Sequence, residues 1–392
     1  MGDAFLDAML ADPAADGPRL VWADWLDGSD APADRARARL VRVQLALARL
    51  PAHDPRRLGL LVEQADLLHQ YGEAWAGPLD GLAAGTEFRR GLIEGATVPA
   101  AAFLKSADAL FAAAPLRRIR LTHLDGHLDE LAASPDLGRL RELDFCDGDL
   151  GPGGVRRLLA SRHLTRLRGL NLTANRLDDD AAALLAGCHN LPGLRALGLS
   201  DNPRLTAVGA AALAASGPLA ELRKLDLSHC GVTDAGVRAL AAPGALPRLE
   251  VLGLAGNPIG DGGVAALAAS ALLPRLMKRS PLLDLARCAV GPRGAAALAD
   301  CAALDAVAEL DLAGNLLGDL GVMRLAESDR LGNLRRLTLS GNSVTDAGGV
   351  LLARSPLLQQ LRRLDVSGNH LGPRGKGELA ARRPYTLALT DE

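Results

Sequence analysis

Aromatic residues are scarce in this chain. Five Phe, three Trp and two Tyr stand among 392 residues. Most of any surface therefore lacks the ring anchors that dominate binding energy. Long apolar runs are absent too. None approaches the roughly 18 residues that span a bilayer, so no membrane partner is expected. Charge of one sign is missing as well. A formal net charge of −2 gives no bulk attraction to nucleic acid, and no nucleic-acid partner is expected. The five cysteines are an odd number without paired spacing. That argues against a disulfide framework and favours a reducing compartment. Near the start, Asp3 and Asp7 stand where a signal peptide has basic residues, and Leu6 where a myristoylation signal has Ser or Thr. A cytoplasmic monomer is the expectation.

Catalytic signatures are missing in the same way. There is no P-loop, no H-E-x-x-H, no C-x-x-C and no nucleophile elbow. GPRGKGE around Lys376 lacks Walker spacing. His123, Asp125 and His127 form the one ligand-like cluster, in a degenerate turn that reads as a solvated loop. No catalytic residue, metal ligand or cofactor is expected.

What the chain has is a period. Leu334 to Leu352 reads LRRLTLSGNSVTDAGGVLL: leucines at 334, 337 and 339, then Asn342, Val344, Asp346 and Gly348. Equivalent units start at Leu116, Leu140, Leu167, Leu194, Leu222, Leu249, Ser280, Val307, Leu334 and Leu361. From Leu140 the steps are 27, 27, 28, 27, 31, 27, 27 and 27 residues. The pattern is that of leucine-rich repeats. The period resembles the ribonuclease-inhibitor subfamily, which implies a strand-plus-helix unit. The expected fold is α/β: a horseshoe solenoid with parallel strands on the concave side and helices on the convex side.

Each column of the repeat has a physical job. The inward leucines of a short strand, such as Leu225 and Leu227, fill the core. The ninth position carries Asn175, Asn202, Asn257, Asn315, Asn342 and Asn369, with Cys230 and Cys288 in the same place. Asn there is expected to bond backbone groups of the turn leaving the strand. Three residues on stands a helix cap such as Asp178, Thr233 or Thr345, then Asp179, Asp234, Asp261, Asp319 or Asp346, which suits a helix N-terminus. Glycine recurs six residues past the ladder, for example at 236, 263 and 294. Its cost in a helix, roughly 1 kcal/mol, predicts a close approach of helix and strand layers. The 31-residue step places about four extra residues within Met277–Pro281, either a binding feature at one edge of the horseshoe or a tolerated edge loop.

The outward strand positions form three further columns. Asp144, Asn171, Asp226, Asp284, Asp311 and Asp365 share one. Arg141, Arg168, Arg195, Arg223, Arg335 and Arg362 lie three positions earlier. Small residues such as Ser228, Ala286 and Ser340 make the third. Two readings stand side by side: Arg and Asp neutralise each other along the stack, or the columns form an open polar groove for a protein partner.

Residues 1–85 read as a separate block of short helices. Periodicity predicts helices over 3–11, from Pro18 to Gly28, from about Asp34 to Leu50, and from Arg56 to Tyr71, ending at Gly72. The block holds 8 Arg, no Lys and 13 Asp plus Glu, so Arg35, Arg37, Arg39 and Arg42 read as a solvated face. Trp22 and Trp25 are its candidate partner anchors. The run AFLDAMLADPAADGPRLVWADWLDG, with RLVRVQLALARLP, resembles the repeat-companion domain of planctomycete-type bacteria. That resemblance implies a helical module ahead of repeats and no catalytic role. Residues 86–392 are expected to form the solenoid, with a first strand over 86–98, a helix over 100–113, a capping unit over 86–115 and a C-terminal cap over 376–392. The leading function is a non-enzymatic scaffold that binds a protein partner on the concave face. The alternative, a regulator of a nucleotide hydrolase such as a Ran-type GTPase activator, needs a distinguished loop arginine, and none stands out.

Overall fold

The computed structural model describes residues 5, 8, 9, 12, 15–50, 54–382 and 385–389. Most of the helix expected over 3–11, the expected stop at Pro51 and the last residues of the C-terminal cap lie outside them. The chain divides into two compact units, 1–144 and 145–392. The boundary expected at 85/86 falls inside the first.

The first unit opens with α1 (Gly17–Asp27), α2 (Pro32–Arg49) and α3 (Arg56–Ala76). Proline near the first turn suits α1 and α2, because its missing N–H is not needed there. α3 does not end at Gly72. A Cβ at Gly72 would meet only the Leu68 side chain, at 3.8 Å, and the helix runs through it to Ala76. This places Tyr71 and Trp75 in stacked contact at 5.4 Å.

Residues 86–98 are not one strand. They form a hairpin of β1 (Gly85–Arg89) and β2 (Leu92–Pro99), paired antiparallel. Arg90 and Gly91, with φ of 47° and 85°, make the tight turn. A Cβ on Gly91 would stand 2.2 Å from Val41 Cγ2, so the turn sits directly on α2. Then come α4 (Ala100–Ala113), β3 (Arg118–Thr122), α5 (Leu128–Ala133) and β4 (Glu142–Asp144), with β2, β3 and β4 parallel.

The helices and the hairpin are bolted together by buried polar contacts. Arg19, 1% exposed, pairs with buried Glu94 at 2.7 Å. Gln44 donates to the Phe88 carbonyl (2.9 Å) and accepts from Gly91 N–H (2.8 Å). Arg37 departs most from expectation. Its guanidinium lies 4.8 Å from the rings of both Trp75 and Phe88 and 5.9 Å from Trp22, and donates to the Gly91 carbonyl at 2.7 Å. Burial lowers its pKa to about 10. The rest of the run keeps to the surface: Arg35 and Arg39 are exposed, Arg39 bonding Glu63, and Arg42 makes ion pairs with exposed Asp24 and Asp27.

The second unit repeats strand, turn and helix. Its elements are α6 (Gly151–Leu159), β5 (Gly169–Asn171), α7 (Asp179–Ala186), β6 (Ala196–Gly198), α8 (Ala207–Ala214), β7 (Lys224–Asp226), α9 (Asp234–Ala241), β8 (Val251–Gly253) and α10 (Gly260–Ala268). Next come α11 (Leu272–Arg279), β9 (Leu282–Asp284), α12 (Pro292–Ala299), β10 (Glu309–Asp311), α13 (Gly318–Ala326), β11 (Arg336–Thr338), α14 (Asp346–Arg354), α15 (Pro356–Gln360), β12 (Arg363–Asp365), α16 (Pro373–Ala381) and β13 (Thr386–Ala388). All pairs are parallel and in repeat register: Leu170, Leu197, Leu225 and Leu252 align in one sheet, and Leu283, Leu310, Leu337, Leu364 and Leu387 in the other. Together with the motif spacing this is a leucine-rich-repeat solenoid of mixed α/β class.

Two expectations change here. The extra residues of the long step are not an edge loop. They extend a turn into α11, whose Leu272, Leu273, Leu276 and Met277 are buried. The recurrent glycine does not serve helix against strand; it serves helix against helix. Asp261 Oδ1 accepts from Gly291 N–H (2.6 Å) and Gly294 N–H (2.8 Å) of the next repeat. A Cβ on Gly294 would lie 2.7 Å from that oxygen. Asp179 holds Thr206 and Gly209 likewise, and Asp346 holds Gly375. These aspartates thus cap the following helix as well as favouring their own N-terminus. Asp178 and Thr345 cap through their side chains; Thr233 makes no such bond, while Thr206 does.

Candidate protein-binding face

The turn asparagines set the strand face in place. Asn257 is fully buried. Its Nδ2 donates to the carbonyls of Leu254 (2.9 Å) in its own turn and Leu227 (2.7 Å) in the preceding repeat. Its Oδ1 accepts from Val232 N–H at 3.0 Å. Asn175, Asn202, Asn315, Asn342 and Asn369 repeat the pattern, each stitching its turn to the repeat before it. Cys230 and Cys288 fill the same place and donate only: Sγ to the Leu199 carbonyl (3.3 Å) and to the Leu254 carbonyl (3.4 Å). A thiol offers no strong acceptor, so Ile259 N–H turns to the Asn257 carbonyl instead. Burial pushes both thiols up to about 11. None of the five cysteines is in a disulfide.

The outward columns differ between the units. In the first, Asp144 is paired: Arg118 reaches it at 3.1 Å and also approaches Glu87 and Glu142. In the second, among the described residues, no cation pairs with Asp226, Asp284, Asp311 or Asp365. The arginine column spends its bonds elsewhere. Arg168 donates to the Gly193 carbonyl, Arg335 to those of Gly332 and Leu334, and Arg223 pairs with Glu250. Expected Arg–Asp neutralisation along the stack is therefore not what the second unit does.

The aspartates have a backbone job instead. One carboxylate oxygen accepts from the N–H two residues on: Ser228 for Asp226 (3.1 Å), Ala286 for Asp284 (3.0 Å), Ala313 for Asp311 (2.9 Å) and Ser367 for Asp365 (3.0 Å). Asn171 does the same for Thr173 at 3.1 Å. The strand exit is thus fixed by Asp or Asn alike, and the charge itself is spare. Gly253 lies under Asp226, whose Oδ1 would stand 2.3 Å from an added Cβ. Asp311 lies in the same column as Asp284 and Asp365. Burial first, then those two charges, raises its pKa despite the Ala313 bond.

Around these carboxylates the second sheet forms a pocket of about 260 Å³, lined by Leu282, Asp284, Glu309, Asp311, Arg336 and Asp365 among others. Leu282 is 45% exposed at one end. The sequence columns located the carboxylates. They did not locate Leu282, because its repeat begins with Ser280 instead of leucine and its neighbours are irregular.

The two tryptophans part company. Trp22 is half-buried, packs against the core of α1 and α2 and borders Arg37. Trp25 is 45% exposed and lies 5.7 Å from Phe5. Among the described residues no group of three or more His, Cys, Asp or Glu is placed to hold a metal, and no helix is long and apolar enough to cross a membrane.

A family model described as a leucine-rich repeat matches residues 221–241, 246–268, 282–299, 333–353 and 358–380. The chain carries leucine-rich repeats. No curated protein matches it. Among solved structures it is similar to a chain of the yeast Rad7 and Elc1 complex, at 17% identity and TM-score 0.40, over 86% of this chain and 92% of that one. It is also similar to an internalin (InlF) from Listeria monocytogenes, at 17% identity and TM-score 0.41, over 91% and 97% respectively.

Proposed function

We propose that this chain is a non-enzymatic scaffold that binds a protein partner on the concave strand face of its repeats. The observation that supports this most is the column Asp226, Asp284, Asp311 and Asp365. Each is fixed by a backbone N–H, faces outward, and has no cation paired with it among the described residues. Small residues beside them leave the face open, and Leu282 adds apolar area. Such a face suits a partner segment with basic and aliphatic side chains. Without aromatic anchors its affinity is modest and salt-sensitive. The helical block acts as a companion to the repeats of the planctomycete type, with Trp25 as an accessory contact. The repeats are of the ribonuclease-inhibitor kind, and the setting is the cytoplasm of a bacterium, where the chain works as a monomer.

Photo-crosslinking tests this. A crosslinker at position 338, in the pocket, is expected to capture the partner. Capture from position 25 but not from 338 contradicts the reading.

A further inference from the structure

The sheet of the second unit is cut at one place, between β8 and β9. Elsewhere a second-position N–H bonds the second-position carbonyl of the repeat before it: Arg195 to Arg168, Arg223 to Arg195, Glu250 to Arg223, Ala308 to Pro281, Arg335 to Ala308 and Arg362 to Arg335. The residue that must donate to Glu250 is Pro281, which has no N–H. The next donor, Leu282 N–H, turns back to Ser280 Oγ at 3.3 Å. The bond from Leu254 N–H to the Asp284 carbonyl, matched by Leu227 to Gly253 and Leu285 to Asp311, is absent too.

Side chains record the same gap. Leu252 is only partly buried, whereas Leu197, Leu225, Leu283 and Leu310 in its inward column are buried. Cys288, like Cys230 two repeats earlier, supplies no carboxamide to the turn before it. Behind the gap the contacts hold. Gly256 N–H bonds the Ala286 carbonyl (2.8 Å) and Gly260 N–H that of Cys288 (2.9 Å). On the far side α11 is tied to the preceding repeat by Arg275, which donates to the Pro247 carbonyl at 2.6 Å.

We propose that the seam between Glu250–Gly253 and Pro281–Asp284 is a hinge. The strand side opens and closes there about the intact turns, and α11, formed in the 31-residue step, holds the back. Residues 145–253 and 282–389 then move as two bodies, and the distance across the strand face is adjustable where the pocket begins. Hinges of this sort absorb motion at a few residues while packed elements stay rigid.

The test uses the full chain with spin labels carried by a noncanonical amino acid. One pair spans the seam, at positions 224 and 336. The control pair, at 282 and 363, lies within one body. The distance distribution across the seam is expected to be about twofold wider than the control. Pro281→Ala restores an N–H and is expected to narrow it to the control width, with slower amide exchange at Leu282 and Leu254. A seam distribution no wider than the control overturns the hinge. A wide distribution unchanged in Pro281→Ala, with exchange also unchanged, overturns the assignment to the missing N–H.

Discussion

At the scale of single residues the turn ladder makes the firmest prediction. Asn257→Ala removes a carboxamide that serves three buried backbone groups. The cost is expected to be about 1–3 kcal/mol, read as a lower midpoint in equilibrium denaturation. An unchanged midpoint would mean that water replaces the amide. The thiols give a second prediction. At pH 8 half-exposed Cys146 is expected to react first, while Cys230 and Cys288 react only on unfolding, because burial holds both near 11. Equal rates in the native state would contradict their burial. Asp311 gives a third. Its folded pKa is raised, so its charge opposes folding once pH climbs through that pKa, and the penalty vanishes in acid. Asp311→Asn keeps an acceptor for Ala313 N–H and removes the charge. It is expected to stabilise the chain at neutral pH and not at acid pH, as thermal melts at both would show.

At the scale of elements, legibility followed periodicity. The repeat places Asn257 and Leu225 by spacing alone, because each must meet its copy one repeat away. The same logic located the aspartate column but not its bonds, since outward side chains choose among several partners. Arg37 was misread because a charge run says nothing about which residue a neighbouring hairpin covers. Glycine at 294 was legible as a close approach, but the approaching group, Asp261, stands 33 positions earlier. That contact makes an element-scale prediction. Gly→Ala inside a helix ordinarily gains about 1 kcal/mol. Gly294→Ala is expected to lose stability instead, because its Cβ displaces the Asp261 carboxylate from the Gly291 and Gly294 amides. A double-mutant cycle with Asp261→Ala should show coupling between the two. A stabilised Gly294→Ala would mean that the carboxylate moves aside freely.

At the scale of the whole molecule, two modules were read from composition, yet the helices of residues 17–76 share buried polar contacts with the hairpin that follows. Arg19 and Glu94 are the plainest case. Deleting residues 1–85 therefore strips the hairpin, and a binding loss in residues 86–392 would not by itself locate the partner. Charge reversal along the strand face has a related fault, since Asp also accepts the turn N–H. Asparagine avoids both, because Asn171 already fills that column in this chain. The decisive measurement is affinity for the captured partner, at low and high salt, of the full chain carrying Asp226→Asn, Asp284→Asn and Asp311→Asn together. Binding on the strand face predicts an intact fold, a large loss of affinity at low salt and a flattened salt dependence. Unchanged affinity in a folded triple variant would contradict it.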